Sequence, residues 1–344
     1  MSHSHIPVSS GTLVLSEGES AYQQVLDEFP KAEEITVVTF NISPKNSALL
    51  DSLSSASCKA TLICNIPKRF PKYLGYTEQA IQARKDQARW QIEAYLAAMD
   101  PTRFDTVVES FFCFRNHAKV VMTESIAFVG SANFSEESKS NWECGFLTSD
   151  PAAIAQLSAA VEQIKHDSIR YLGKPVNALI APSLELRQCL SIMADKLTEE
   201  CLDTLGGTLH DLRRAISTVD MPWAFAFESG GPLTSRIDMN MLDQIESLIS
   251  ESAPIREYAE FDPDNIFSDE VLLEAYDDRL DRYIEAASND AHYRLDELRE
   301  QAEVPLSTLS NGLRKISEQL ESAIKEITEA HDRIDNTKSK GGTK

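Results

Sequence analysis

Short apolar runs alternate with amphipathic stretches through the first half of the chain, and from about residue 175 the pattern becomes helical throughout. Thr12 to Leu15, Ile35 to Ile42 and Lys59 to Ile66 are rich in β-branched and apolar residues, which predicts strands. Ala21 to Phe29 and Ala48 to Leu53 space their apolar residues three and four apart, which predicts helices between those strands. A long helix is predicted over Thr77 to Met99. A β-rich stretch then runs from Phe111 to Met122, a tight Thr123-Glu124-Ser125 turn follows, and Ile126 to Val129 continues as a second strand. Cys144 to Thr148 reads as a further strand and Pro151 to about Leu172 as a helix. Such alternation predicts a layered α/β domain, a mixed sheet flanked by helices.

Gly173-Lys174-Pro175 is the predicted boundary, so the α/β domain spans 1–174 and an all-helical C-terminal region spans 175–344. Helices are predicted over Leu184 to Leu205 and Leu209 to Val219, broken at Gly206-Gly207, with a short strand over Trp223 to Phe227. Met239 to Ser250 and Asp269 to about Ala302 are further helices. Pro305 is expected to open a last one with a heptad over 306–335: Leu306, Leu309, Leu313, Ile316, Leu320, Ala323, Ile327, Ala330, Ile334. That pattern fits a coiled coil and fits equally an amphipathic helix packed on its own domain. Residues 336–344 are expected to be a flexible basic tail.

Charge divides as the pattern does. Of the net −21, residues 1–175 contribute −4, from 16 Lys+Arg against 20 Asp+Glu, and residues 176–344 contribute −17. The acidity therefore belongs to the helical half, and any attraction of the first half for a polyanion must come from local patches. No apolar run approaches the roughly 18–20 residues that span a bilayer. The N-terminus lacks the basic and apolar regions of a secretory signal, so a cytoplasmic protein without membrane association is expected. Six cysteines without Cys-x-x-Cys or zinc spacing are expected to be reduced thiols; no metal and no cofactor are expected.

The chemistry concentrates between Phe114 and Asn133. His117 and Lys119 stand two apart, so on extended backbone they share one face. Gly130-Ser131-Ala132-Asn133 follows the second strand and can turn back toward them. An imidazole, an ammonium, a hydroxyl and a carboxamide in one place suit a phosphate: one nucleophile or acid, with donors for the oxygens.

His117-x-Lys119, then Gly130-Ser131-x-Asn133, then Asn141-x-Glu143 resembles the phospholipase D superfamily, its single-motif, nuclease-like branch in particular. The family's Asp is Glu124 here, with five rather than six residues before Gly130. The resemblance covers about the first half of the chain. It implies a phosphodiesterase that needs two histidines, one forming a phosphohistidine and one protonating the leaving oxygen. Only one of the seven histidines carries the motif, so the resemblance implies a homodimer through the catalytic domain, with two copies of His117 meeting at a shared site. It assigns Lys119 and Asn133 to the phosphate oxygens, lets Ser131 assist, and gives Glu143 the far nitrogen of His117. A helix after Phe134 would add its positive end to the site.

Arg115 and the loop residues Lys68, Arg69 and Lys72 are expected to contact substrate backbone, as are Arg84, Lys85 and Arg89. The expected substrate is a nucleic acid, DNA or RNA, cleaved without metal, as in bacterial restriction or anti-phage effectors. The acidic helical half is expected to recruit a protein partner such as a translocase or other ATPase, or to occupy the groove as a polyanion mimic. Two other readings stand beside this one: a lipid phosphodiesterase or phosphatidyl transferase, and a non-catalytic dimeric scaffold.

Overall fold

The computed structural model describes residues 10–45, 47–54, 56–66, 89–199, 238–261 and 280–341. Among them eight strands form one mixed sheet in the order β1-β7-β6-β5-β2-β3-β4-β8. The strands are β1 (Thr12–Ser16), β2 (Glu34–Thr39), β3 (Lys59–Cys64), β4 (Val108–Phe112), β5 (Val120–Thr123), β6 (Ala127–Gly130), β7 (Glu143–Thr148) and β8 (Ile169–Tyr171). β2, β3 and β4 run parallel toward the β8 side, and their largely apolar sequences suit strands buried on both faces. β5, β6 and β7 follow as an antiparallel meander beside β2.

The helices α1 (Gln23–Glu28) and α2 (Ala48–Ser54) lie between the first strands. A third helix, α3, is described over 89–98; the beginning of the predicted Thr77 to Met99 helix lies outside the described residues. α4 (Pro151–His166) starts at Asp150, whose carboxylate accepts from the amides of Ala152 and Ala153. Its Ile154, Leu157, Val161 and Ile164 cover Val38, Ile63, Phe111, Val120, Met122 and Ala127 on one face of the sheet. Full burial of such side chains stabilises by about 1.5–3 kcal/mol each. On the other face Tyr22 packs against Phe128 and Phe134, with ring centroids 5.7 and 5.8 Å away.

Three expectations change. α4 stops at His166 rather than near Leu172, because Asp167-Ser168 turns the chain and Ile169–Tyr171 pairs with β4. There Ile169 and Tyr171 are buried and Arg170 is exposed, the period of a strand rather than a helix. Pro305 does not open a helix but lies inside one, α8, which runs unbroken over Leu280–Gly341. Buried Ala291, Leu298, Ala302, Leu306, Leu309, Leu313, Ile316 and Leu320 form one stripe that crosses Pro305. Burial on both sides offsets the roughly 3 kcal/mol that an internal proline costs. Helix also continues past residue 336 to Gly341, where a flexible tail was expected.

Packing divides the chain into two units: 1–70, 84–182 and 324–344 in the first, 71–83 and 183–323 in the second. The helical unit thus holds most of α5 (Lys174–Glu199), α6 (Met239–Glu251), α7 (Ala253–Glu260) and the first two-thirds of α8. Within it the heptad stripe is buried against its own chain: Ser310 and Ser317 donate to the carbonyls of Ala194 and Arg187, at 2.9 and 3.3 Å. Arg187 is buried and meets Glu321 through Nε and Nη2 at 3.2 and 3.1 Å. Residues from 324 on group with the sheet. The predicted elements at Leu209 to Val219 and Trp223 to Phe227, and the start of the Asp269 helix, lie outside the described residues.

Candidate active site

Strand direction gathers the chemistry at one end of the sheet. β5 is antiparallel to β2 with Val38 opposite Val120, so the chain leaving β2 lies beside the chain entering β5. Val129 pairs with Val120 and Gly130 with Gly145, which brings the end of β6 and the start of β7 to the same place. Phe40-Asn41, His117 to Lys119, Ser131 to Asn133 and Glu143 therefore converge. Gly130 and Gly145 allow this closeness: a Cβ on Gly130 would stand 2.4 Å from the Cys144 carbonyl, and one on Gly145 2.3 Å from the Phe128 ring.

His117 and Lys119 lie on extended backbone just before β5 rather than within a strand reaching back to Phe111. The chain turns at Phe114-Arg115, and Asn116 fixes the approach. Its carboxamide oxygen accepts from the Ala118 amide at 2.9 Å, and its Nδ2 donates to the Thr39 carbonyl at 2.9 Å. Asn65 holds the turn from below, with Nδ2 donating to the carbonyls of Phe114 and Asn116 at 3.1 and 3.2 Å. On this frame the His117 side chain is exposed and Lys119 is buried. Lys119 Nζ stands 3.1 Å from His117 Nδ1 and donates to the His117 carbonyl at 2.7 Å. The Phe40 ring backs the imidazole, centroids 4.7 Å apart, and Lys119 Nζ lies 5.5 Å from that ring.

Ser131 is exposed and donates a short hydrogen bond to the buried Glu143 carboxylate, while the Cys144 amide donates to Ser131 Oγ at 3.0 Å. Burial pulls the Lys119 ammonium below its ordinary pKa, and the Glu143 charge works in the opposite sense. Glu143 is therefore the buried counter-charge of Lys119 and the acceptor for Ser131, not the partner of the far nitrogen of His117. Asn133 accepts from the Asn41 amide at 3.2 Å through Oδ1, which turns its carboxamide nitrogen elsewhere. Its backbone is held too, the carbonyl by Tyr22 at 2.9 Å and the amide by Ser138 at 3.0 Å. Burial, then the charges of Glu136 and Glu143, push the Tyr22 phenol far up, so it stays a neutral donor.

Other assignments move further. Glu124 lies at the opposite end of β5, where Oε2 accepts from the amides of Glu33 and Glu34 at 3.0 and 3.2 Å. It anchors the entry to β2 and takes no part in the site. The segment after Phe134 is a 3-10 turn, Glu136–Ser140, not an α-helix. Glu136 accepts from the Leu49 amide at 3.2 Å and from Lys139 at 2.6 Å, so that turn offers carboxylates rather than a positive end. Arg115 is exposed in the turn beside His117, and Arg89 is exposed on α3. Lys68, Arg69, Lys72, Arg84 and Lys85 lie outside the described residues.

Phe40, Asn41, Asn65 and Asn116 were not singled out in the sequence. Asn116, directly before His117, carried a usable signal, since asparagine binds its own backbone two residues on. Among the described residues no three His, Cys, Asp or Glu side chains gather as a metal site, and no helix is long and apolar enough to cross a membrane.

Residues 25–165 match the family model described as a cardiolipin synthase, PLD-like domain. This part of the chain belongs to the phospholipase D superfamily, a superfamily of phosphodiesterases. No curated protein matches the sequence. Among solved structures, NucT from Helicobacter pylori is similar at 16% identity, covering 47% of this chain and 99% of that one, with a TM-score of 0.33. Nuc from Salmonella typhimurium, a phospholipase D family member, is similar at 13% identity, covering 47% and 97%, with a TM-score of 0.30. Phosphatidylserine synthase from Haemophilus influenzae is similar at 15% identity, covering 55% and 47%, with a TM-score of 0.34.

Proposed function

We propose that this chain is a metal-independent nuclease that cleaves phosphodiesters through a phosphohistidine at a site shared by two copies. The observation that carries the reading is the His117–Lys119 contact: an exposed imidazole with an ammonium 3.1 Å from Nδ1, backed by a buried carboxylate. In that geometry Nδ1 accepts from Lys119, and the ring proton of neutral His117 sits on Nε2. A bound phosphate draws the ammonium to a non-bridging oxygen. Nδ1 can then take the ring proton, and the lone pair of Nε2 faces phosphorus.

The P–N bond to Nε2 forms as the P–O bond to the leaving alcohol breaks, and His117 of the partner subunit gives that oxygen its proton. Water then displaces the histidine, with the same partner group taking its proton. Lys119 compensates the charge that develops on the phosphate. A homodimer follows from the need for a second histidine, since one His-x-Lys occurs in the chain. The acidic helical half, net −17, is the part suited to a protein partner with a basic surface, as a defence effector coupled to a translocase would require.

The test uses wild type and His117→Ala with labelled DNA, RNA and phosphatidylcholine, all in EDTA. Cleavage of nucleic acid that survives chelation and is lost in the variant supports the reading. Headgroup release instead supports the lipid reading, which the description of the matching family model favours. Silence on every substrate supports a scaffold. A strict monomer by light scattering rules out the shared site.

A further inference from the structure

The chain leaving β2 connects the site to an exposed tryptophan. Phe40 backs His117, and the Asn41 amide donates to Asn133. The Asn41 side chain accepts a short hydrogen bond from the Tyr95 hydroxyl, which also reaches the Ile42 carbonyl at 3.4 Å. This fastens α3 to the site. Three residues beyond Ile42, Lys45 places Nζ 4.3 Å from the centroid of the Trp90 ring, and Trp90 lies on α3 five residues before Tyr95. Trp90 nevertheless remains 53% exposed. From Phe40 to Lys45 the backbone reaches at most about 18 Å, so Lys45 lies within a few nucleotide lengths of the residue that backs His117.

An indole half in water leaves apolar area unburied, and a tryptophan ordinarily hides most of it. Here a lysine orients the ring, and the same ammonium is positioned to meet an anion. An aromatic platform with a cation at its edge is the equipment that holds a base and its phosphate along a single strand. We infer that Trp90 and Lys45 form a subsite for an unpaired nucleobase of a single-stranded nucleic acid, with the base stacked on the indole and the adjoining phosphate on the ammonium. The inference rests on the nuclease reading of the site and adds to it a preference for unpaired strands. Duplex bases, already stacked on one another, have no face to offer.

The test uses the full chain in a His117→Ala background, so that substrate persists. Binding of labelled oligo-dT, oligo-U, a duplex and anionic phospholipid vesicles is compared with and without Trp90→Ala, Trp90→Phe and Lys45→Met. Trp90→Ala should weaken single-strand binding roughly tenfold, with Trp90→Phe retaining much of it. Lys45→Met should flatten the salt dependence. The oligo-dT and oligo-U arms distinguish DNA from RNA.

In the His117 background, Trp90→Ala should lower kcat/KM for an oligonucleotide by roughly tenfold more than for bis(p-nitrophenyl) phosphate. Single-strand affinity that ignores both Trp90 variants overturns the subsite. So does a Trp90 effect seen on vesicles alone. Hydrolysis of the small diester without any oligonucleotide binding overturns the subsite and leaves the phosphodiesterase reading intact. Trp90-dependent binding in a chain with no diesterase activity keeps the subsite and removes the catalytic reading.

Discussion

The Ser131 hydroxyl donates to the Glu143 carboxylate across the β6–β7 turn, and that carboxylate raises the pKa of the Lys119 ammonium against the effect of burial. A serine and a glutamate that looked like separate catalytic candidates act as one device that keeps a buried lysine charged. Neutralising Glu143 removes the raising influence and leaves burial unopposed, so the Lys119 pKa falls further. In the proposed mechanism Lys119 acts protonated, so activity should be lost as pH rises through its pKa. Glu143→Gln should therefore move the alkaline limb of the pH–rate profile to lower pH. A limb that stays in place would show that another group sets it.

Glu124 answers to two backbone amides at the start of β2. Glu124→Ala should cost about 1–2 kcal/mol, the range for a charge-assisted acceptor of backbone N–H groups, read as a lower denaturation midpoint. Turnover of a small diester by the folded fraction should be unchanged. Lost turnover at full stability would place Glu124 back in the site.

Gly145 faces the Phe128 ring, and the Cβ of an alanine there would stand 2.3 Å from it and 2.8 Å from the Val129 carbonyl. Neither can yield freely, since Phe128 is fully buried and Val129 is paired within the sheet. Gly145→Ala should destabilise by about 2–3 kcal/mol, seen in calorimetry, and should disturb the Gly130-Ser131 corner beside it.

Pro305 lies inside a continuous helix whose apolar stripe passes it on both sides. Pro305→Ala restores an amide donor and removes a ring clash. It should stabilise the helical unit by up to about 3 kcal/mol, checked by amide exchange over 298–313. A loss of stability would mean that the proline ring is itself needed for packing.

Much of this was legible in the residues themselves. The alternation before residue 173 carried the sheet, and the spacing of His117, Lys119, Ser131 and Glu143 along it put them where the ends of β5, β6 and β7 meet. Ile169–Tyr171 was not legible: three residues after a long helix show too little period, and only the free edge of β4 makes them a strand. Phe40 was hidden for another reason. Within Ile35 to Ile42 it looks like one more apolar strand residue, and its contact with His117 depends on antiparallel pairing 80 residues away. Glu143 was placed in the right region with the wrong partner, because spacing along the chain does not say which of two nearby donors a carboxylate will face.

The end of α8 has a consequence for how the molecule is made. Lys325 donates to the His166 carbonyl at 3.0 Å, and Asp332 pairs with Arg170 at 3.0 Å, so the sheet unit is completed by residues synthesised long after its last strand. At about 5–20 residues per second, the ribosome takes roughly 10–30 s to travel from Arg170 to these positions. During that interval the sheet waits without its final helix, and a chain that stops anywhere in the helical unit leaves it permanently unfinished.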